Sequence, residues 1–414
     1  MKFIPRIQRR NASFAANVLG ARGPLLSVLA HFFEHGRWGT PVEMGVEGQS
    51  LTAEDQLFIL MQAGLYLTTT RGYPTPEARI CYESAERLCH SLNRPLLLYA
   101  PLEGQWRYSL HTDKLSATMQ IAKRVYSLAQ EQNDSALMMG ACRPLAATLY
   151  FMGDFEPARQ YAMHGVQMWR SGGVQFPVEE VMSPAVSCLC YEALCEWHFA
   201  QIDSSQATIA ESMSLARELN DTHALALALY FAACLGRFER NPSEVERCAS
   251  DLIELSTRQN FAFWLAMGSV LRGWVRSASG ETAEGLSWIE DGIKDIRATG
   301  SMLWMPYLLA LKAESLFIAD RTSEALVAIR ESEALAERSE ERWWCAEQHR
   351  LRAVFLAAVG ANDTKIEASF CAAISTAKEQ KSVSLEKRAE ETYAEYRRQK
   401  ASGSEGRGFR LPLW

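Results

Sequence analysis

The feature that most constrains this chain is a period of forty residues. Short phrases that close an amphipathic run on a turn-forming residue recur at Cys89 (CHSLN), Ala129 (AQEQN), Ala216 (ARELN), Ser256 (STRQN), Ile296 (IRATG), Ala336 (AERSE) and Ala377 (AKEQK). The steps between them are 40, 87, 40, 40, 40 and 41 residues. The long step holds two units. Trp169 to Gly173 (WRSGG) stands 40 after Ala129, and the seven residues left over fall around Gly172–Pro184. A fixed period of this size means stacked copies of one supersecondary unit, each too small to bury its apolar face alone.

Each unit reads as two amphipathic helices joined by a short turn. In one of them Phe261–Ala278 forms the first stretch, Gly280-Glu281-Thr282 the turn and Ala283–Ala298 the second. Leu286, Ile289, Ile293 and Ile296 recur at helical spacing on the second stretch. Pro242 and Pro306 stand at helix starts, where a missing N–H costs nothing. Alternating strand patterns are absent. The expected fold is all-α, a tetratricopeptide-like superhelical solenoid of about eight stacked helix pairs over residues 51–400, right-handed and with a concave groove. Residues 1–50 do not show the period and read as a cap or the remnant of an upstream domain. Residues 401–414 read as a frayed tail, from their Gly and Ser content.

Composition narrows the function. A chain of 414 residues would ordinarily divide into two or three domains, but a repeat array grows along one axis without a single core. The net charge of −6, from 43 basic and 49 acidic residues, speaks against a general nucleic-acid surface. The ten cysteines show no disulfide framework, which suits a reducing, cytoplasmic setting. No apolar run has the length of a membrane span; the best, Leu225–Leu235 and Leu303–Leu311, are short. Lys2, Arg6, Arg9 and Arg10 give the start a basic character. Asn11, Asn17 and Arg22 interrupt any apolar segment there, so no signal peptide is expected.

The turns fit a tetratricopeptide-like register, with Gly closing the first helix, then an acidic residue, then a small residue on the second. Gly153-Asp154-Phe155 followed by Ala158 fits it, and Gly280-Glu281 followed by Gly285 fits it more loosely. Thr70 to Glu77 (TRGYPTPE), Cys188–Trp197 (CLCYEALCEW) and Phe263–Trp274 (FWLAMGSVLRGW) resemble the C-terminal repeat region of bacterial predicted ATPases that carry a class III adenylate/guanylate cyclase domain. The resemblance covers roughly residues 55–400 and carries no catalytic motif. It implies a sensory or regulatory role, with a P-loop ATPase or nucleotidyl cyclase among the partners. The chain itself has no G-x-x-x-x-G-K-[ST] run to cradle a phosphate.

Candidate chemistry is sparse. Cys188, Cys190, Cys195 and His198 form the densest group of soft ligands, but on one helix Cys190 points about 160° from Cys195. Helix packing is the expected role, with no metal and no cofactor. Cys195 and His198 lack a third group that would orient a catalytic base. The eleven Trp residues invite a ligand-stacking reading, with Trp343-Trp344 and Trp264/Trp274 the obvious cases, but about three-quarters of them are expected to fill space between units. The charged runs Glu337–Arg342 and Glu386–Arg398 read as solvated helix faces.

The first helix of each pair is expected to line the groove. Setting Gly273 as a small packing position and stepping by about 40 places Glu103, Arg107, Arg143, Tyr150, Trp197, Tyr230, Arg237, Trp274, Tyr307 and Arg350 on that face. Arg forks and aromatic anchors suit a protein or peptide ligand. The expected function is a non-enzymatic protein-interaction or regulatory module. The alternatives are a stand-alone or truncated regulatory part of a cyclase–ATPase system, and an enzyme whose site is assembled across several helices.

Overall fold

A computed structural model describes residues 52–171 and 181–402. The aperiodic first 50 residues, most of the seven-residue insertion and the tail beyond Ser402 lie outside the described residues. The rest is eight antiparallel helix pairs and one closing helix. The pairs are α1 (Ala53–Arg71) with α2 (Pro76–Ser91), α3 (Tyr99–Thr112) with α4 (Leu115–Gln132), α5 (Ser135–Met152) with α6 (Phe155–Arg170), and α7 (Pro184–His198) with α8 (Ile202–Glu218). They continue as α9 (Thr222–Phe238) with α10 (Pro242–Gln259), α11 (Ala262–Ala278) with α12 (Thr282–Thr299), α13 (Met305–Ile318) with α14 (Thr322–Ser339), and α15 (Cys345–Ala358) with α16 (Asp363–Glu379). Helix α17 (Val383–Ala401) packs on the last pair. No strand occurs among the described residues. The solenoid of eight pairs is therefore as the period predicts.

The period has a local cause. The last residue of each recurring phrase is left-handed: Asn93, Asn133, Asn220, Asn260, Gly300, Glu340 and Lys381 all have φ between 49° and 85°. A second series closes the first helix of the last six pairs at Gly153, Ala200, Arg240, Gly280, Asp320 and Gly360. Most of these turns share one hydrogen-bond pattern. Arg240 N–H donates to Arg237 O and Asn241 N–H to Gly236 O; Asp320 and Arg321 do the same to Phe317 O and Leu316 O. This pattern satisfies carbonyls that the helix end leaves open and reverses the chain.

The two helices of a pair differ in burial. On α12 the buried residues are Gly285, Leu286, Ile289, Gly292, Ile293 and Ile296, one stripe at helical spacing. Helix α7 is buried at every position. Gly273 on α11 and Gly285 on α12 let the two backbones touch: a Cβ added at Gly273 would lie 2.6 Å from Gly285 O. Gly273 is thus a close-packing position, as the sequence register assumes.

Helices α5, α7 and α9 are buried on nearly every side because successive turns of the superhelix meet. Its turns meet through residues 150 to 225 apart in sequence, roughly four to five and a half repeats. The carbonyls at the C-terminal ends of α3, α5, α7 and α9 accept across this seam. Met302 N–H donates to His111 O (2.8 Å), and Arg342 and Trp343 N–H to Phe151 O (2.8 and 3.2 Å). Ser384 Oγ donates to Trp197 O (2.6 Å), and Arg388 to Phe238 O. Among the described residues, buried side chains stand along the axis where an open concave groove is expected. Aromatic rings and ion pairs fill its place.

The left-handed turns generate a paired prediction. Gly280 has φ 93° and nothing within 4 Å of an added Cβ, so Gly280→Ala tests conformation alone. It should cost about 1 kcal/mol in a denaturant melt, whereas Ala200→Gly at the equivalent turn (φ 57°) should stabilise by somewhat less. Equal melts for all three proteins would contradict the shared turn geometry.

Candidate functional site

The ten positions named from the sequence as inward are all buried, from 0 to 5% exposed. The expectation that they present Arg and aromatic groups to solvent is corrected in this closed arrangement. The structure gathers most of them into three charged clusters and one aromatic column.

In the first cluster Glu103 on α3 binds both Arg107, one turn on, and Arg143 on α5. Arg143 also lies over the Trp106 ring, 5.5 Å from its centre. In the second, Arg237 on α9 pairs with Glu314 on α13, and Trp274 Nε1 on α11 donates to the same carboxylate at 2.9 Å. In the third, Arg350 on α15 grips Glu347 with two bonds of 2.8 Å, and Arg388 on α17 reaches Glu347 at 3.3 Å. Arg388 also lies over the Trp197 ring. Burial would raise the Glu347 carboxyl, but Arg350 and Arg388 hold it well below the usual range.

Sequence reasoning missed Glu314, Glu347 and Arg388. A step of 40 from Trp274 reaches Glu314, so a register scan for acids as well as bases would have found it. Arg388 and Glu341 fall in runs expected to be solvated, and both are buried. Glu341 accepts from Trp304 N–H (3.1 Å) and Trp343 Nε1 (2.9 Å). Burial pushes its carboxyl up to about 8, against those two donors.

The column is built from Tyr150, Tyr230 and Tyr307 with Trp304 and Trp343. Ring centres lie 5.0 Å apart for Tyr230–Trp304 and 5.2 Å for Tyr307–Trp343. Trp343 and Trp344, candidates for stacking on a ligand, are both buried against each other and their neighbours. The soft-ligand group on α7 does not converge. Cys190 Sγ faces Ser212 Oγ, whereas His198 stacks on Phe155 at 3.6 Å and bonds Ser382 Oγ at 2.7 Å through Nδ1. No trio of metal-ligating side chains occurs among the described residues. No described helix is long and apolar enough to cross a membrane.

A cavity of about 60 Å³ remains on the axis beside the first cluster. Arg107, Arg143, Tyr73, His111 and Trp264 line it, together with Trp106, Tyr191, Phe231, Phe263 and Trp304. Tyr73 stacks on His111 with centres 4.6 Å apart and meets Phe263 edge-on. Burial first, and the Arg107 charge second, push the His111 and His223 imidazoles down to about 3.

No protein-family profile matches the chain. A curated relative, an uncharacterised protein of Rhizobium meliloti (strain 1021), is 20% identical over 360 residues, which is 85% of this chain and 34% of that protein. The chain therefore spans about a third of the length of the curated relative it matches. Among solved structures, a Rap protein complexed with competence and sporulation factor is similar over 86% of this chain and 100% of its own, at 10% identity and a TM-score of 0.57. The likeness establishes a shared helical-repeat fold. The narrower resemblance to cyclase–ATPase repeat regions has no counterpart in these two matches.

His198 generates the prediction for this site. Burial, then Arg388, hold its imidazole well below the ordinary value, so the native protein stays unprotonated where the unfolded chain takes up a proton. Its contribution is complete above pH ~6.5 and is lost as the pH falls below that. Relative to His198→Gln, the native protein should lose about 1.4 kcal/mol per pH unit between pH 6 and 5. Parallel stability profiles for the two would show that the imidazole is hydrated in solution.

Proposed function

We propose that the chain is a non-catalytic interaction module that takes a protein or peptide segment along its axis. The observation that carries this reading is the convergence of the inner helices on one line of Arg, Glu and aromatic side chains. Such groups fork carboxylates, accept amides and stack on side chains of an extended ligand. The fold likeness to a Rap protein crystallised with competence and sporulation factor supports it. Glu103, Arg107, Arg143, Tyr150, Trp197, Tyr230, Arg237, Trp274, Tyr307 and Arg350 are the proposed contacts. Because all ten are covered, binding requires the seam between superhelical turns to part, and the ligand replaces contacts the turns make with each other. That exchange lowers apparent affinity by the fraction of molecules open at any time.

A second reading makes the module the regulatory part of a larger signalling system, with a P-loop ATPase or nucleotidyl cyclase on another chain. It rests on the sequence resemblance; the match to one third of a longer relative suits a part of a larger system but brings no ATPase or cyclase with it.

The test begins with peptides selected from a displayed library on the native protein. They are then titrated against the double variant Arg237→Met with Glu314→Gln. Neutralising both partners leaves neither as an uncompensated buried charge and keeps an acceptor for Trp274, so the fold should survive. Peptide affinity should fall at least about tenfold, as for loss of a charge-assisted hydrogen bond. Unchanged affinity in the folded variant would remove the axis as the binding surface. Glu314→Gln alone should destabilise by about 3 kcal/mol, because Arg237 then stays buried without its counter-charge.

A further inference from the structure

We propose that the axial cavity beside Tyr73 and Arg107 is a binding site for a carboxylate on a short apolar body. Three observations on this chain's own residues lead there.

The first is the chemistry of the wall. Its polar side chains are guanidinium, imidazole, indole and hydroxyl groups, and no carboxylate is among them. Glu103 binds Arg107 and Arg143 without joining the wall. The ligand group that such a wall accepts best is an anion with hydrogen-bond acceptors.

The second is a pair of unmet donors. Tyr73 Oη and Trp264 Nε1 are both buried, and neither completes a hydrogen bond. The indole N–H approaches the phenol oxygen without satisfying it. Buried donors without acceptors are uncommon because each costs its lost hydration. A carboxylate seated in the cavity supplies acceptors to both.

The third is size and lining. A volume of about 60 Å³ has room for a handful of non-hydrogen atoms, at roughly 10–15 Å³ for each water-sized probe. Phe231, Phe263 and Trp304 give the remaining wall an apolar character that suits a short alkyl group. Butyrate has the right dimensions and both halves of the required chemistry. The Arg107 charge acts on two of the wall groups, His111 and Tyr73.

This chemistry has two sources, a free short-chain acid or the C-terminal carboxylate of a peptide ending in a small apolar residue. The site stands apart from the Arg237–Glu314 cluster used to test peptide binding along the axis, so either result leaves the other interpretable.

The experiment uses saturation-transfer NMR and thermal melts on the full chain. The ligands are butyrate, butyramide, and the tripeptide Gly-Gly-Val with a free or an amidated C-terminus. Butyrate, the free-ended tripeptide or both should bind, and the neutral amide counterparts should bind at least about tenfold more weakly. Butyrate alone binding assigns the free acid; the free-ended tripeptide alone binding assigns a chain end. Tyr73→Phe should weaken the carboxylate about tenfold while leaving the unliganded protein as stable as before or more so, since it removes an unsatisfied donor and no volume. Equal binding of acid and amide, unchanged binding in Tyr73→Phe, or no binding by any of the four ligands would overturn the proposal.

Discussion

An α-helix ends with carbonyl groups that its own backbone cannot satisfy, and this chain buries four such ends against its axis. Turn residues close the outer side of each end, and the next superhelical turn closes the inner side. His111, Phe151, Trp197 and Phe238 all offer a carbonyl to a donor roughly one turn further along the superhelix. Without those donors the inner helix ends would need water, and water there would separate the aromatic column. The closed arrangement of the superhelix follows from this demand together with the apolar burial it permits.

The buried ion clusters have a related role. Each joins side chains from different repeats: Glu103 with Arg143, Arg237 with Glu314, Glu347 with Arg388. Taking such charges out of water costs several kcal/mol per ion, so they contribute little net stability. What they do contribute is discrimination. A helix pair shifted by one turn would leave a guanidinium facing an aromatic ring or an aliphatic chain. The clusters therefore set the rotation of one repeat against the next, while aromatic and aliphatic packing provides the attraction.

Much of the architecture is legible in the sequence because each repeat writes the same local signal. The phrase endings at Asn93, Asn133, Asn220 and Asn260 are left-handed turn residues, and Asn tolerates that conformation with little strain. The ten positions stepped from the anchor at Gly273 are all buried, so the repeat also marks residues of the core. The closure is not legible. It depends on the small rotation between successive repeats, accumulated over more than four of them, and no residue type encodes that angle. Glu341 and Arg388 illustrate the consequence. Each lies in a charged run that reads as a solvated face, and only the returning turn buries them. The cavity is hidden by the same ignorance, because Tyr73, His111 and Trp264 meet across the seam rather than along the chain.

The seam also changes what kind of folding unit the chain is. An open solenoid has only neighbour contacts, so it can gain or lose a repeat and can unravel from an end. Here His198 meets Ser382 across 184 residues and His111 meets Ser301 across 190. Such pairings raise the contact order well above that of an open array, which slows folding and couples distant repeats into one cooperative transition. Deleting one forty-residue unit would shift every cross-turn partner out of phase at once. The chain is built from modules that are no longer independent, because each is held by one that lies a superhelical turn away.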